Sequence, residues 1–314
     1  MNASASGLAQ ITLTSGCEEA TLTVTVVICT KRRPANLRDC LSAVVRLEPM
    51  PTQVLVVDNT QGDPGTESLS REFGARYVVE PVPGLSRARN RGLAECDTDL
   101  VAFLDDDAIP APDWLGVLLE PFANRQMAAS TGRVMTPSSS QDDGQPACPR
   151  ILSSKDRHWF EIATFGGLGV GLNMALRRSA CMNWTVFDER LGRGAPFHIG
   201  EETYAFAGLI QRGHTAAYVP TAIVFHPVHR RDPVEIEARN SFAYWLLLFS
   251  AFPTERFGLL SFILRRLRRR PLDWPRNPQE PGEIVTSSYS LLLKAALQGL
   301  WLFLCTPRNW NSRP

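Results

Sequence analysis

Several features are scarce in this sequence, and each absence narrows the possibilities. The seven cysteines, at 17, 29, 40, 96, 148, 181 and 305, are odd in number and irregularly spaced, with no Cys-x-x-Cys pair. This argues against a disulfide framework and against a zinc site. Cys29 and Cys40 have apolar neighbours and are expected to be buried small hydrophobes. A reducing compartment is the simplest setting, and the expected location is cytoplasmic, peripheral at the inner face of the membrane. There is no excess charge of one sign: 33 Lys and Arg against 32 Asp and Glu leave +1. A general nucleic-acid binder normally carries a marked basic excess, so no nucleic-acid partner is expected. The N-terminus lacks a basic region followed by a long apolar core and does not read as a signal peptide.

Long apolar runs are also scarce. Residues 242–252 are too few to span a bilayer, and 287–306 enclose Lys294 and Gln298. Both read as buried or membrane-surface helices. Neither Gly-x-Gly-x-x-Gly nor the Walker loop occurs, which removes two common nucleotide-binding fingerprints. What remains is 44% hydrophobic and 21% charged, sufficient for a globular core. That composition excludes a collagen, a disordered chain and a polytopic membrane protein.

The near-zero total charge conceals two opposed parts. Residues 1–255 contain 23 Lys and Arg against 29 Asp and Glu, and residues 256–314 contain 10 against 3. The sums are −6 and +7. Within the basic part, LLSFILRRLRRR (259–270) mixes apolar and basic residues, a composition suited either to a packed helix with a solvated face or to an anionic membrane surface.

The first half alternates strand and helix patterns. Residues 21–29 are β-branched and read as a strand, and Pro34 suits the first turn of a helix. Strands follow at 53–57, 76–80 and 99–104, with helices near 66–73, 87–95 and 112–122 between and after them. This βα alternation predicts a mostly parallel sheet covered by helices on both faces. Ligands of such sheets bind beyond the carboxyl ends of the strands. Thr30, Lys31 and Arg33, then Asp58 and Asn59, then Asp105-Asp106-Asp107 all fall there. The second half is less regular: a polar loop at 136–150, a glycine-rich stretch at 166–171, strands at 172–176 and 222–225, and a helix at 200–212. From about 235 the chain reads as helical.

Some of these residues carry chemistry. The Asp triplet reads either as an Asp-rich turn or as a metal site: in an extended segment Asp105 and Asp107 share a side, and two hard oxygen ligands there suit Mg²⁺ or Mn²⁺. Asp58, at a strand end, reads equally as a turn residue or as the acceptor of a hydrogen bond from a nucleoside. The basic segment from Gly84 to Gly92 reads by itself as a solvated basic helix; combining a turn with a helix start, it also suits phosphate. Glu201 and Glu202 open a helix, where carboxylates serve either as dipole partners or as a general base. His226 and His229 follow a strand, as structural residues or as metal ligands.

In order and content these segments resemble family 2 glycosyltransferases of the GT-A fold. VTVVICTKRRPANLRDCL is similar to their first strand and helix, VLVVDNT to the second strand, GLSRARNRGL to the Ala-Arg-Asn-x-Gly segment, and LVAFLDDDAIPAPDWL to the Asp-x-Asp strand. GVGLNMALRRSA and FDERLGRGAPFHIGEETYAF resemble the acceptor half. The resemblance covers residues 21–230. It implies a tail at 1–20, a catalytic domain at 21–235 (nucleotide-sugar half 21–135, acceptor half 136–235), and a helical, basic and apolar appendage at 236–314.

The resemblance also implies an inverting hexosyltransferase of the cell envelope, polysaccharide or glycoconjugate class. It would use Mg²⁺ or Mn²⁺ and a nucleotide-sugar donor, here expected to be a UDP-sugar. The acceptor would be a hydroxyl, with a lipid-linked one in view and membrane contact through the C-terminal region. Asp58 would bind the base, and Thr30 and Arg33 would line the nucleotide pocket. Arg89 would meet the diphosphate or ribose, and Asp106 the ribose or sugar. Asp107 would be the principal metal ligand, with Asp105 holding the ion or its waters and His226 a ligand as in some members. Glu202 stands where the family usually has a catalytic Asp. Glu carries one more methylene, so the choice between Glu202 and Glu201 as base stays open. Two rival readings remain: a nucleotidyltransferase-like enzyme of related fold, and an inactive nucleotide-sugar-binding protein on a membrane surface. The first would need a glycine-rich phosphate loop, and CTKRRPANL has no glycine.

Overall fold

The computed structural model describes residues 10–15, 18–137, 147–227, 232–268 and 289–306. His229 and most of the loop expected at 136–150 lie outside these residues. The first half of the chain contains strands β1 (Ile11–Ser15), β2 (Glu18–Leu22), β3 (Val24–Thr30), β4 (Gln53–Asp58), β5 (Arg76–Val79), β6 (Leu100–Asp105), β7 (Ile109–Pro110) and β8 (Met127–Met135), of which β1 and most of β2 fall within the stretch expected to be a tail. Its helices are α1 (Pro34–Val44), α2 (Pro64–Glu72), α3 (Leu85–Glu95) and α4 (Trp114–Leu119). The second half adds β9 (Arg150–Leu152), α5 (Trp159–Thr164), β10 (Asn173–Arg177), α6 (Glu201–Gln211) and β11 (Thr215–Phe225). Three helices follow: α7 (Val234–Ala251), α8 (Arg256–Arg268) and α9 (Tyr289–Cys305).

The main sheet runs β5-β4-β3-β6-β10-β8-β11-β7, with β9 also on β11, while β1 and β2 form a separate hairpin. The four strands from β5 to β6 are parallel, as the βα alternation predicts. Beyond them β10 runs antiparallel to both β6 and β8, so the whole sheet is mixed. The structure is of the GT-A type: an α/β sheet flanked by helices, with a helical C-terminal region.

Alternation along the strands builds two cores, one on each face. Val27 and Cys29 of β3, Val101 and Phe103 of β6, and Met174 and Leu176 of β10 face one core. Val26 and Ile28, Leu100, Ala102 and Leu104, and Ala175 face the other. Every residue of β3 is buried, as befits a parallel strand covered on both sides. Residues from α1, α2 and α4 contribute to the second core; residues from α3, α5, α6, α7 and α8 contribute to the first. Cys29 and Cys40 are buried, as expected.

Local signals explain the helix starts. Pro34 and Pro64 occupy first-turn positions, where a missing N–H costs nothing. Asp63 caps α2 by accepting from Thr66 N at 2.8 Å. Trp114, fully buried at the start of α4, donates to Asn173 Oδ1 at 2.8 Å. Asn173 donates in turn to the carbonyls of Arg133 and Ala222, each at 2.9 Å. A single buried network thus ties the helix after the Asp triplet to β10, β8 and β11, and all its polar partners are satisfied.

Some elements were not foreseen. The strand expected at 222–225 is the end of an eleven-residue strand, interrupted by a register shift between Val219 and Ile223 around Pro220. The strands β1, β2, β7, β8 and β9 and the helix α5 also lacked a clear periodic signal.

Candidate active site

The carboxyl ends of β3, β4 and β6 gather the expected residues. Thr30 pairs with Asp58, and Cys29 with Asp105, across the parallel ladders. Asp58 is completely buried. Its Oδ2 accepts from Tyr77 Oη at 2.6 Å and from Asp63 N at 2.8 Å. Its Oδ1 has no hydrogen-bond partner among the described residues. A buried carboxylate oxygen left without a donor is costly, which marks it as an acceptor awaiting one. Asn59 is fixed by donating to the carbonyls of Glu80 and Val82 and accepting from Gly84 N.

The Asp triplet divides its work. Asp106 points inward and accepts from Thr30 Oγ1 at 2.7 Å. Arg33 Nη1 donates both to Asp106 Oδ1, at 3.1 Å, and to Asp107 Oδ2, at 3.0 Å. Burial raises the pKa of Asp106, and Asp107 and Asp105 add to this, opposed by Thr30 and Arg33. Asp105 and Asp107 turn towards His226, and one ligand atom from each of the three lies within 4.8 Å of the others. His226 Nε2 is 2.9 Å from Asp107 Oδ1. Burial disfavours the charged imidazole, but the Asp107 carboxylate outweighs burial and raises its pKa. His226 arrives here through sheet pairing: Phe225 pairs with Ile109 and Val224 with Pro110, antiparallel, two residues beyond the triplet.

Arg89 does not sit on a solvated basic face. It is 2% exposed, and its guanidinium lies 5.7 Å from the centre of the Phe187 ring. Nη1 donates to Glu201 Oε1 at 3.0 Å and Nη2 to Asp105 Oδ1 at 3.4 Å. It thus bridges the Asp105–Asp107–His226 cluster and the acidic pair. The other arginines of α3 are paired elsewhere, Arg87 with Glu189 and Arg91 with Glu95.

Glu201 and Glu202 open α6 behind Gly200, whose φ of +84° favours glycine. A Cβ there would also meet the Tyr244 ring at 2.7 Å. Gly171 is held to glycine for a different reason: a Cβ would lie 2.8 Å from Arg89 Nη1 and 3.0 Å from Glu202 Cβ. Desolvation, then the neighbouring Glu201 charge, push the Glu202 carboxyl up to about 8, against the pull of Arg89. The acidic pair is therefore asymmetric: Glu201 is paired with a guanidinium, and Glu202 is poised near neutrality.

Two cavities share this centre. One, of about 210 Å³, is lined by Thr30, Lys31, Asn59, Gly84 and Asp106 among others. The second, of about 300 Å³, is lined by Asp107, Gly171, His198, Glu201, Glu202 and His226 among others. Arg33, Leu85, Asp105 and Arg193 line both. The sequence-predicted residues Thr30, Arg33, Arg89, Asp105, Asp106, Asp107, Glu201, Glu202 and His226 thus converge on one cleft, and Asp58 is the strand-end neighbour of Thr30.

Arg193 was missed by sequence reasoning. Its loop is tied down by Leu85 N donating to its carbonyl at 2.9 Å and by Ser86 Oγ donating to Leu191 O at 2.7 Å. Its side chain is exposed at the junction of the cavities. Only the ordering of this loop on α3 reveals it, since a lone loop arginine has no pattern.

Known proteins resemble this chain in sequence and in fold. The model of glycosyl transferase family 2 matches residues 25–184. The succinoglycan biosynthesis protein ExoM of Rhizobium meliloti (strain 1021) is 34% identical over 224 residues, 66% of this chain and 68% of that protein. The pre-mycofactocin glycosyltransferase of Mycobacterium tuberculosis (strain ATCC 25618 / H37Rv) is 30% identical over 238 residues, 70% of this chain. This match spans 45% of the length of that relative. Among solved structures, the mannosyltransferase PcManGT from Pyrobaculum calidifontis, in complex with GDP-Man and Mn²⁺, superposes with a TM-score of 0.56. That pairing covers 92% of this chain and 77% of the other at 15% identity, a likeness of fold. The chain belongs to glycosyltransferase family 2.

Proposed function

We propose that this protein is an inverting, metal-assisted glycosyltransferase that moves a sugar from a nucleoside-diphosphate donor to an acceptor hydroxyl. The carrying observation is the convergence of Asp105, Asp107 and His226 with Glu201 and Glu202 on one cleft. Two carboxylate oxygens and an imidazole nitrogen within one small sphere fit Mg²⁺ or Mn²⁺. A cation held by them would neutralise charge on the departing diphosphate.

The chain's own residues supply the rest. Asp58 Oδ1 accepts from the base. Because Oδ2 already takes two donors, a single oxygen remains, which suits the one ring N–H of uracil and so a UDP-sugar. Thr30 and Arg33 hold Asp106 in place at the nucleotide cavity. Arg193 and Arg33, where the two cavities meet, bind diphosphate oxygens. Glu202 takes the proton of the acceptor hydroxyl as the new bond forms, which requires an approach of about 3 Å. Arg89 holds Glu201 still, and Glu201 in turn keeps Glu202 basic enough to accept that proton. Attack from the face opposite the diphosphate inverts the anomeric carbon.

The test is nucleotide release from a panel of UDP-sugars with Mn²⁺ or Mg²⁺, with and without a chelator, followed by NMR of the product anomer. Support is chelator-sensitive release with inversion. Undiminished turnover under chelation, or retention of configuration, would overturn the reading.

A further inference from the structure

The helices α8 and α9 carry apolar residues on both sides, although only one side of each packs on the protein. On α8, Leu259 is buried, Ile263 is partly buried against the core, and Phe262 stacks on Phe165 with ring centres 4.1 Å apart. The opposite stripe, Phe257, Leu260 and Leu264, is exposed, Phe257 to 85%. On α9, Ala295 is buried, and Leu302 and Phe303 pack towards the core. A Cβ on Gly299 would meet Phe242 Cβ at 2.7 Å, so α9 lies close on α7. Its outer stripe is Leu293, Leu297, Leu300, Trp301 and Leu304, spaced three and four apart, with Trp301 71% exposed.

A helix on the surface of a globular protein normally turns polar residues outward. Here, among the described residues, the two stripes hold more than half of the exposed large hydrophobic side chains. An apolar stripe left outward along a helix marks a contact that the free chain leaves unmade.

The surrounding charge identifies the occupant. Residues 256–270 contain six arginines and no acidic residue. Arg265 is paired with Glu161, and Arg256 donates to the Phe249 carbonyl. A second copy docking by the same patch would set this arginine-rich stretch against itself, because a two-fold interface pairs identical surfaces. An anionic lipid surface instead attracts it, and arginine stems accommodate the headgroup region. Trp301 and Phe257 suit the boundary between headgroups and acyl chains. Among the described residues no single helix is long and apolar enough to cross a membrane, although α7 and the start of α8 pass that test together as a pair bent by 109°; because one side of α8 and of α9 packs on the protein, the outward stripes suit a contact in the plane of the surface. We propose that the exposed stripes of α8 and α9 seat this protein on a bilayer carrying anionic headgroups.

The test is co-sedimentation of the full-length chain with phosphatidylcholine vesicles, with and without phosphatidylglycerol. The parent chain should pellet with the mixed vesicles, less so at high salt. Leu297→Glu with Trp301→Glu should reduce binding at least about tenfold, and Phe257→Glu with Leu264→Glu likewise. A second variant set, Arg268→Gln, Arg269→Gln and Arg270→Gln, leaves the stripes intact and should abolish the preference for anionic over neutral vesicles. Unchanged circular dichroism would establish that each variant is folded. The proposal is overturned if folded stripe variants pellet as well as the parent. It is equally overturned if binding ignores lipid charge, or if the stripes mediate a dimer in sedimentation equilibrium without any vesicle binding.

Discussion

Arg89 Nη1 lies 3.0 Å from Glu201 Oε1, joining α3 to α6 across 112 residues of sequence. Both side chains are buried and well inside hydrogen-bond range. Removing one partner of such a pair leaves an uncompensated buried charge. Arg89→Met should therefore destabilise the fold by about 3–5 kcal/mol, measured by urea unfolding. Arg91→Met, which removes an exposed pair with Glu95 two positions along the same helix, should cost at most about 0.5 kcal/mol. Comparable losses from the two would show that the Arg89 bridge is not structural.

The two acids of α6 should separate in kinetics. Glu202→Gln should keep donor affinity, read by calorimetric titration with UDP, while turnover falls at least about a hundredfold. Glu201→Gln should lower turnover less. If the order is reversed, the base is Glu201.

A base pushed up to about 8 gives a signed pH dependence. Below that value Glu202 carries a proton and cannot accept another, so kcat/KM should rise with pH until it levels off above about 8. Glu201→Gln removes the like charge and frees Arg89, and both effects favour ionised Glu202. The rising limb should thus move to lower pH in that variant. A limb that stays in place would detach it from Glu202.

Asp107→Ala removes a hard ligand and the partner of His226. Mn²⁺ binding, followed by electron paramagnetic resonance, should weaken about tenfold or more, and nucleotide-sugar turnover should disappear. Binding of Mn²⁺ at parental strength would move the metal centre elsewhere.

Arg193→Ala probes the residue at the cavity junction. The expected outcome is a raised KM for the donor by roughly tenfold, the loss of one charge-assisted bond. The melting temperature should not change, because this side chain is exposed. An unaltered KM would take Arg193 out of the donor site.

Much of the nucleotide half was legible because its strands are buried on both faces and its helices show plain periodicity. Thr30, Asp58 and the Asp triplet follow from a single rule: polar residues at the carboxyl ends of parallel strands share a cleft. The family resemblance picks Arg89 out of its run of arginines, but its bridge to Glu201 was not legible, because it depends on the packing of α3 against Phe187 and α6. Nor was β8 visible: MAASTGRVM is rich in small and polar residues, and it is a strand because β10 and β11 flank it. Glu201, Glu202 and His226 all lie beyond residue 184, where the family match ends.

The pairing of β7 with β11 joins two residues to two, the shortest ladder in the main sheet, yet it sets Asp107 beside His226. Rung and ligand pair form one mechanical unit. Fraying at that edge parts the carboxylate from the imidazole, and whatever bridges the two side chains resists fraying. The grip of the site and the closure of the sheet's far margin rise and fall together.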